Sequence, residues 1–294
     1  MKRWWRFIRE RFEPLSHLLM IGCFYSANIA LLKAIVFSTE PLEFFKLAIG
    51  LAVTVLFFFH LRLFDEIKDY ATDQEVNRDR PLPRGLIRMS EFKAVLWSVL
   101  VLELVLTSLL GWHITAAFLI PWFYSILMYR EFFIGGWLRP KMEAYAISHT
   151  FVSALLALFF ASLVGNVPVA FLPIAVIWVA LNNWMIFNTF EFARKTFGRD
   201  EERSHVESYS KRWRPVGAAL WVGFFVLMSL ALLYRLNDLG GWGLDFKIGV
   251  AATTSAVLLA GILYSAQPSI RAAKVFRSVA SLYLIAINLV IVFL

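Results

Sequence analysis

This sequence is poor in charge and almost without cysteine. Of 294 residues, 17% are charged, where a soluble domain carries about 25%. The lone Cys23 excludes an intrachain disulfide and any cysteine-based metal cluster, and its apolar neighbours point to a packing role. A cleavable leader is not expected: the basic start runs into an apolar stretch too long for a signal core, with no small-residue cleavage site. Hydrophobic side chains are plentiful, at 60% with 28 Phe and 11 Trp. That balance defines an all-α, polytopic membrane protein with a single domain over residues 1–294.

A spanning helix needs about 20 mostly apolar residues. Nine runs qualify, near Leu15–Phe37, Leu42–Leu63, Phe92–Leu110, Ile114–Tyr129, Ala144–Val164, Val169–Phe190, Val216–Leu236, Phe246–Ala266 and Val275–Leu294. Pro121 predicts a kink in the fourth. If the N-terminus is cytoplasmic, all of the 29 Lys and Arg except Lys33, Lys46, Arg235 and Lys247 fall on the cytoplasmic side. That asymmetry supports nine spans in this orientation in the cell's inner (plasma) membrane. It also assigns the net charge of +8 to the anionic leaflet rather than to nucleic acid. Residues 1–14 alternate cations with Trp4, Trp5, Phe7, Ile8 and Phe12, as expected of a helix in the interface with its rings in the headgroup layer.

The most informative stretch is Asp65–Gly85. Asp65, Asp69 and Asp73 stand at i, i+4 and i+8, so on a helix they share one face. Stacked carboxylates repel and call for a cation. Mg²⁺ fits best, because it takes oxygen ligands and bridges to phosphate oxygens. Arg62, Lys68, Arg78, Arg80, Arg84 and Arg88 surround the acids, a mixture suited to a polyphosphate ligand. A solvated mixed-charge loop is the alternative. A second mixed loop, from Glu191 to Arg214, also follows an apolar run directly. The two loops follow runs two and six, which suggests related halves.

Asp65-Glu66-Ile67-Lys68-Asp69-Tyr70-Ala71-Thr72-Asp73, followed by Arg80-Pro81-Leu82-Pro83-Arg84-Gly85, resembles the first aspartate-rich motif of the UbiA superfamily of intramembrane prenyltransferases. The span count and the second loop agree with that superfamily, so the resemblance covers most of the chain. It implies nine helices around a central cavity and Mg²⁺-dependent transfer of a prenyl group from a prenyl diphosphate to a hydrophobic acceptor (aromatic, quinone precursor or lipid). Carried over by position, Asp69 and Asp73 match motif aspartates, Glu66 matches the acid beside the leading asparagine, and Asp65 replaces that asparagine. Lys68, Arg80 and Arg84 would neutralise the diphosphate.

The second motif departs from the family's paired aspartates. Asn188, Glu191, Arg194 and Lys195 stand there, with Glu191 the expected metal ligand and Lys195, where an aspartate would fall, expected to hold phosphate. Tyr124 and Arg130 occupy the place of a family Tyr and Lys that contact diphosphate, and Asn28 is expected to line the pocket. His60, Glu103, Asn182, Asn183 and Asn288 are further polar groups inside the spans, suited to interhelical hydrogen bonds. The altered second motif keeps two other readings open: a terpene cyclase on the same scaffold, and a transporter or lipid-binding protein gated by the charged loops. No protein partner is indicated.

Overall fold

The computed structural model describes residues 2–203 and 206–293. Among these the regular structure is helical: α1 Lys2–Arg11, α2 Pro14–Ile35, α3 Phe44–Lys68, α4 Tyr70–Val76, α5 Met89–Ser108, α6 Trp112–Tyr129, α7 Gly135–Leu138, α8 Met142–Thr150, α9 Val152–Gly165, α10 Ala175–Arg194, α11 Tyr209–Gly240, α12 Leu244–Ala266 and α13 Ile270–Val292. All nine apolar runs are helical over most of their length. The sixth starts late, at Ala175, because Pro168 and Pro173 break the chain before it. Six segments are long and apolar enough to cross a membrane: α2, α3, α8 with α9, α11, α12 and α13. In the others, Glu91, Lys93 and Glu103 (α5), Trp112, His113 and Pro121 (α6), and Asn182, Asn183 and Asn188 (α10) dilute the apolar character.

The helices form a closed ring. Each of α2, α3, α5, α6, α9, α10, α11, α12 and α13 packs on the next, and α13 returns to α2. Helix α10 also crosses to α13 and α2, and α2 to α9. Polar pairs fix the crossings. Asn28 and Asn183 exchange amide hydrogen bonds, at 3.3 and 2.8 Å. Ser229 donates to Asn182 at 2.8 Å, and Tyr283 to Ser229 at 3.1 Å. His60 bridges Glu103 (2.7 Å) and Ser125 (3.0 Å) in full burial. These bonds pair most of the polar groups involved, although Glu103 Oε2 and Asn182 Nδ2 stay without a hydrogen-bond partner.

Aromatic side chains from four helices of the ring meet. Phe24 (α2) lies 6.1 Å from Phe58 (α3), 5.7 Å from Phe160 (α9) and 5.2 Å from Phe187 (α10). Phe58 and Phe187 lie nearly parallel, at 6.0 Å.

Helix α1 departs from the sequence reading. Its aromatic rings do not all lie among headgroups, because Phe7 is fully buried and Trp4 stacks on Phe92 at 5.6 Å. Phe12 meets Phe59 at 5.3 Å. The helix is docked on α3 and α5. In α11, Arg214 at φ 59° separates a first turn from the long helix that begins at Pro215.

Candidate active site

Helix α3 carries Asp65 through its last turn and hands over at Asp69 to α4. The Asp69 N–H still donates to the Asp65 carbonyl at 2.9 Å, and the Asp73 N–H to that of Asp69 at 2.8 Å. The three acids therefore keep nearly helical spacing, but their surroundings differ. Asp65 and Asp69 are exposed. Lys68 approaches Asp65 at 3.6 Å and donates to the Tyr145 hydroxyl at 2.6 Å. Partial enclosure, and then the charge of Asp65, push the Asp69 carboxyl above the ordinary range.

Asp73 is buried. Both of its oxygens accept from Arg80 Nη1, at 2.8 and 2.6 Å, and Oδ1 also accepts from Asn77 at 2.8 Å. The chain returns Arg80 to Asp73 through a turn at Asn77, whose N–H donates to the Asp73 carbonyl at 2.9 Å and whose carbonyl accepts from the Arg80 N–H at 3.0 Å; Gly85, at φ +74°, belongs to the next turn.

The second motif faces the first. Arg194 and Asp65 lie within electrostatic reach, as do Arg194 and Arg62. Both Glu191 oxygens are engaged: Arg194 donates to each (Nη2 to Oε1 at 2.8 Å), and Lys195 sits 3.1 Å from Oε1. The expected metal ligand thus positions two cations. Among the described residues, no group of three or more His, Cys, Asp or Glu is arranged to hold a metal. Asp69 and Asp65, the latter 3.6 Å from Lys68 and 4.0 Å from Arg62, still fit Mg²⁺, which commonly takes one or two carboxylates, water and substrate phosphate.

The remaining expected site residues are placed elsewhere. Glu66 accepts from Arg11 at 2.5 Å, and Arg84 donates to Glu10 at 2.8 Å, so both bind α1. Asn188 is buried, accepting from Thr150 at 2.8 Å and donating to the Trp184 carbonyl at 2.9 Å. Asn28 is sealed against Asn183. Tyr124 donates to the Ser148 carbonyl at 2.8 Å, and Arg130 lies over the Tyr129 ring at 5.9 Å. Further along the second loop Asp200 is exposed, while Glu201 grips Arg277 at 2.6 Å and Glu202 accepts from Ser208 and Ser210.

Two residues beside Lys68 went unnoticed in the sequence. Tyr145 and His149 stack at 3.9 Å, and His149 Nε2 is buried without a partner. Their signal was a polar pair one turn apart at the start of the fifth run. Nearby, Glu131, Phe132 and Phe133 all have φ near +50 to +60°, a strained turn in which buried Glu131 accepts from Arg139 at 2.5 Å. That bond raises the Arg139 guanidinium pKa.

Exposed acids and nearby cations thus stand at the ends of α3 and α10, helices that also carry Phe58 and Phe187. Residues 23–288 match the UbiA prenyltransferase family, and the chain belongs to it: it is a membrane prenyltransferase by family. The fold is similar to a solved structure described as giving structural and mechanistic insights into digeranylgeranylglyceryl phosphate synthase in membranes, at 16% identity and TM-score 0.68, covering 100% of this chain and 98% of that one. It is also similar to a UbiA homolog from Aeropyrum pernix K1 in its apo form, at 16% identity and TM-score 0.62, covering 92% and 95%. No curated protein sequence matches this chain.

Proposed function

We propose that this protein transfers a prenyl group from a prenyl diphosphate to a hydrophobic acceptor inside the membrane, with Mg²⁺, and that the charged loops lie on the cytoplasmic side of the inner membrane. The observation that carries this reading is the alignment of chemistry with depth. Phe58 lies two turns below Asp65 on α3, and Phe187 one turn below Glu191 on α10, with their rings 6.0 Å apart.

Asp65 and Asp69 would hold Mg²⁺, which when bound spreads the negative charge of the diphosphate. Lys68, Arg194 and Lys195 would meet the remaining phosphate oxygens, the last two held in place by Glu191. Arg80, held on Asp73, would add positive charge near Asp69. With its charge dispersed, pyrophosphate leaves with the C1–O electron pair. The allylic carbocation forms between ring faces that favour positive charge. The acceptor's nucleophilic atom then bonds to C1 and loses a proton, so the products are the prenylated acceptor, pyrophosphate and H⁺.

The test is incubation of purified protein with prenyl diphosphates of several lengths and with membrane lipid extract. The expected result is Mg²⁺-dependent pyrophosphate release with a prenylated product by mass spectrometry, lost in Asp69→Ala. Metal-independent release, or full activity in Asp69→Ala, would overturn the assignment. A cyclic hydrocarbon as the product would replace it with a cyclase.

A further inference from the structure

Helix α1 has two faces. One is bolted to the first charged motif. Arg11 Nε lies 2.5 Å from Glu66, whose side chain is 1% exposed and whose second oxygen has no hydrogen-bond partner. Glu10 holds Arg84 at 2.8 Å, and Arg3 holds Glu91 at 3.1 Å. Trp4 and Phe7 pack on Phe92, at 5.6 and 5.2 Å. The other face carries Lys2, Trp5, Arg6 and Arg9, all exposed. Their i, i+3, i+4 and i+7 spacing puts them on one stripe opposite Phe7 and Arg11.

The depth of this stripe follows from the chain. Helix α1 ends at Arg11 and α2 enters its apolar run at Pro14. Leu15, Leu18 and Leu19 at that entry are exposed, an apolar surface for lipid tails. The stripe therefore sits at headgroup level, and its three cations and a tryptophan complement an anionic phospholipid surface.

We infer that α1 is a lipid-read strap: anionic headgroups bound by Lys2, Arg6 and Arg9 hold the helix down, and Arg11 on Glu66 thereby fixes the turn that presents Asp65 and Asp69. Glu66 lies beside Asp65 in sequence and within the same last turn of α3. A buried carboxylate that loses this hydrogen bond must move toward another partner or water, and it carries that turn with it. Arg11 and Glu66 are positioning residues. The consequence for substrate rests on reading Asp65 and Asp69 as the diphosphate end of the site; the mechanical coupling does not.

The experiment uses the full chain in nanodiscs of phosphatidylcholine alone or mixed with phosphatidylglycerol. Amide hydrogen exchange over residues 65–77 reads the strap without any substrate, and calorimetry with Mg²⁺ and inorganic pyrophosphate reads the site. Exchange over 65–77 should slow when phosphatidylglycerol is present. Replacing Lys2, Arg6 and Arg9 together by Gln should abolish that difference while leaving exchange in α10 unchanged. Arg11→Ala should speed exchange in both lipids and weaken Mg²⁺-pyrophosphate binding at least about tenfold, the scale of a lost outer-shell partner, with partial recovery in Arg11→Lys. Equal exchange in the two lipids, or a triple variant that keeps the difference, overturns the strap whether or not Arg11→Ala folds. If instead the exchange results hold while wild-type and Asp69→Ala bind Mg²⁺-pyrophosphate alike, the strap stands and the diphosphate assignment fails.

Discussion

Asp69→Asn and Asp73→Asn should separate two roles that the sequence places on one stripe. Asp69 is exposed, and partial enclosure and the charge of Asp65 raise its carboxyl pKa. Its amide variant should leave thermal stability within about 0.5 kcal/mol, as for most surface changes, and remove one of the two carboxylates proposed for Mg²⁺. Apparent Mg²⁺ affinity should then fall by about 100-fold or more, since even outer-shell losses cost 10–100-fold. Asp73 is the reverse case. Its side chain is 4% exposed and held by Arg80, which is 32% exposed. An amide keeps an acceptor for Asn77 but loses the ionic part of the Arg80 contact. A hydrogen bond to a charged group is worth about 1.5–3 kcal/mol, and the partial exposure of Arg80 argues for the lower end. Asp73→Asn should therefore lower the melting temperature, measured by tryptophan fluorescence in detergent, and weaken Mg²⁺-pyrophosphate binding less than Asp69→Asn does. If Asp73→Asn melts like wild-type and loses Mg²⁺ affinity as fully as Asp69→Asn, the Arg80 pairing is not its function and Asp73 is a metal ligand after all.

Lys195→Ala should raise the donor KM by about 10- to 100-fold, equivalent to one charge-assisted hydrogen bond, with the Mg²⁺ titration midpoint unchanged; a shifted midpoint would return Glu191 to the metal. Phe58→Leu and Phe187→Leu should each lower kcat several-fold, from about 0.5–2 kcal/mol of ring–cation attraction, with little change in KM. An unchanged kcat would remove the rings from the cation's path. The fork of Arg277 on Glu201, at 2.6 Å, holds that carboxyl below its usual pKa. The lowered value means the stabilisation is complete above the ordinary carboxylate range and is lost as pH falls through the folded pKa. Melting curves of wild-type and Glu201→Gln should differ by about 1.5–3 kcal/mol at neutral pH and converge in acid; a gap that persists in acid would mean the charge is not the cause.

The helices were legible because bilayer crossing demands long apolar runs, and the first motif because carboxylates at helical spacing keep that spacing through the α3–α4 join. The ion pairs of Glu191 were also legible, since Arg194 and Lys195 lie at i+3 and i+4. Other features depend on chain reversals that local pattern does not encode. Asp73 meets Arg80 only because the chain reverses at Asn77. Glu66 and Arg84 meet α1 only because α1 docks on Phe92. Asn28 and Asn183 are far apart in sequence, so each showed as a costly polar group without a named partner. Tyr145 and His149 were hidden among apolar neighbours, and Lys68, which joins them to the acids, comes from another helix.

The stacked rings of Phe58 and Phe187 act as a depth gauge. Seven residues of helix separate Phe58 from Asp65 and four separate Phe187 from Glu191, so the rings lie about 10 and 6 Å below the charged rim. On the proposed function, a donor anchored by its head at the rim would break its bond below that rim. An acceptor confined to the aqueous phase would then fail to reach the reactive carbon, whereas one dissolved in the bilayer or tethered to it would stand at the right height.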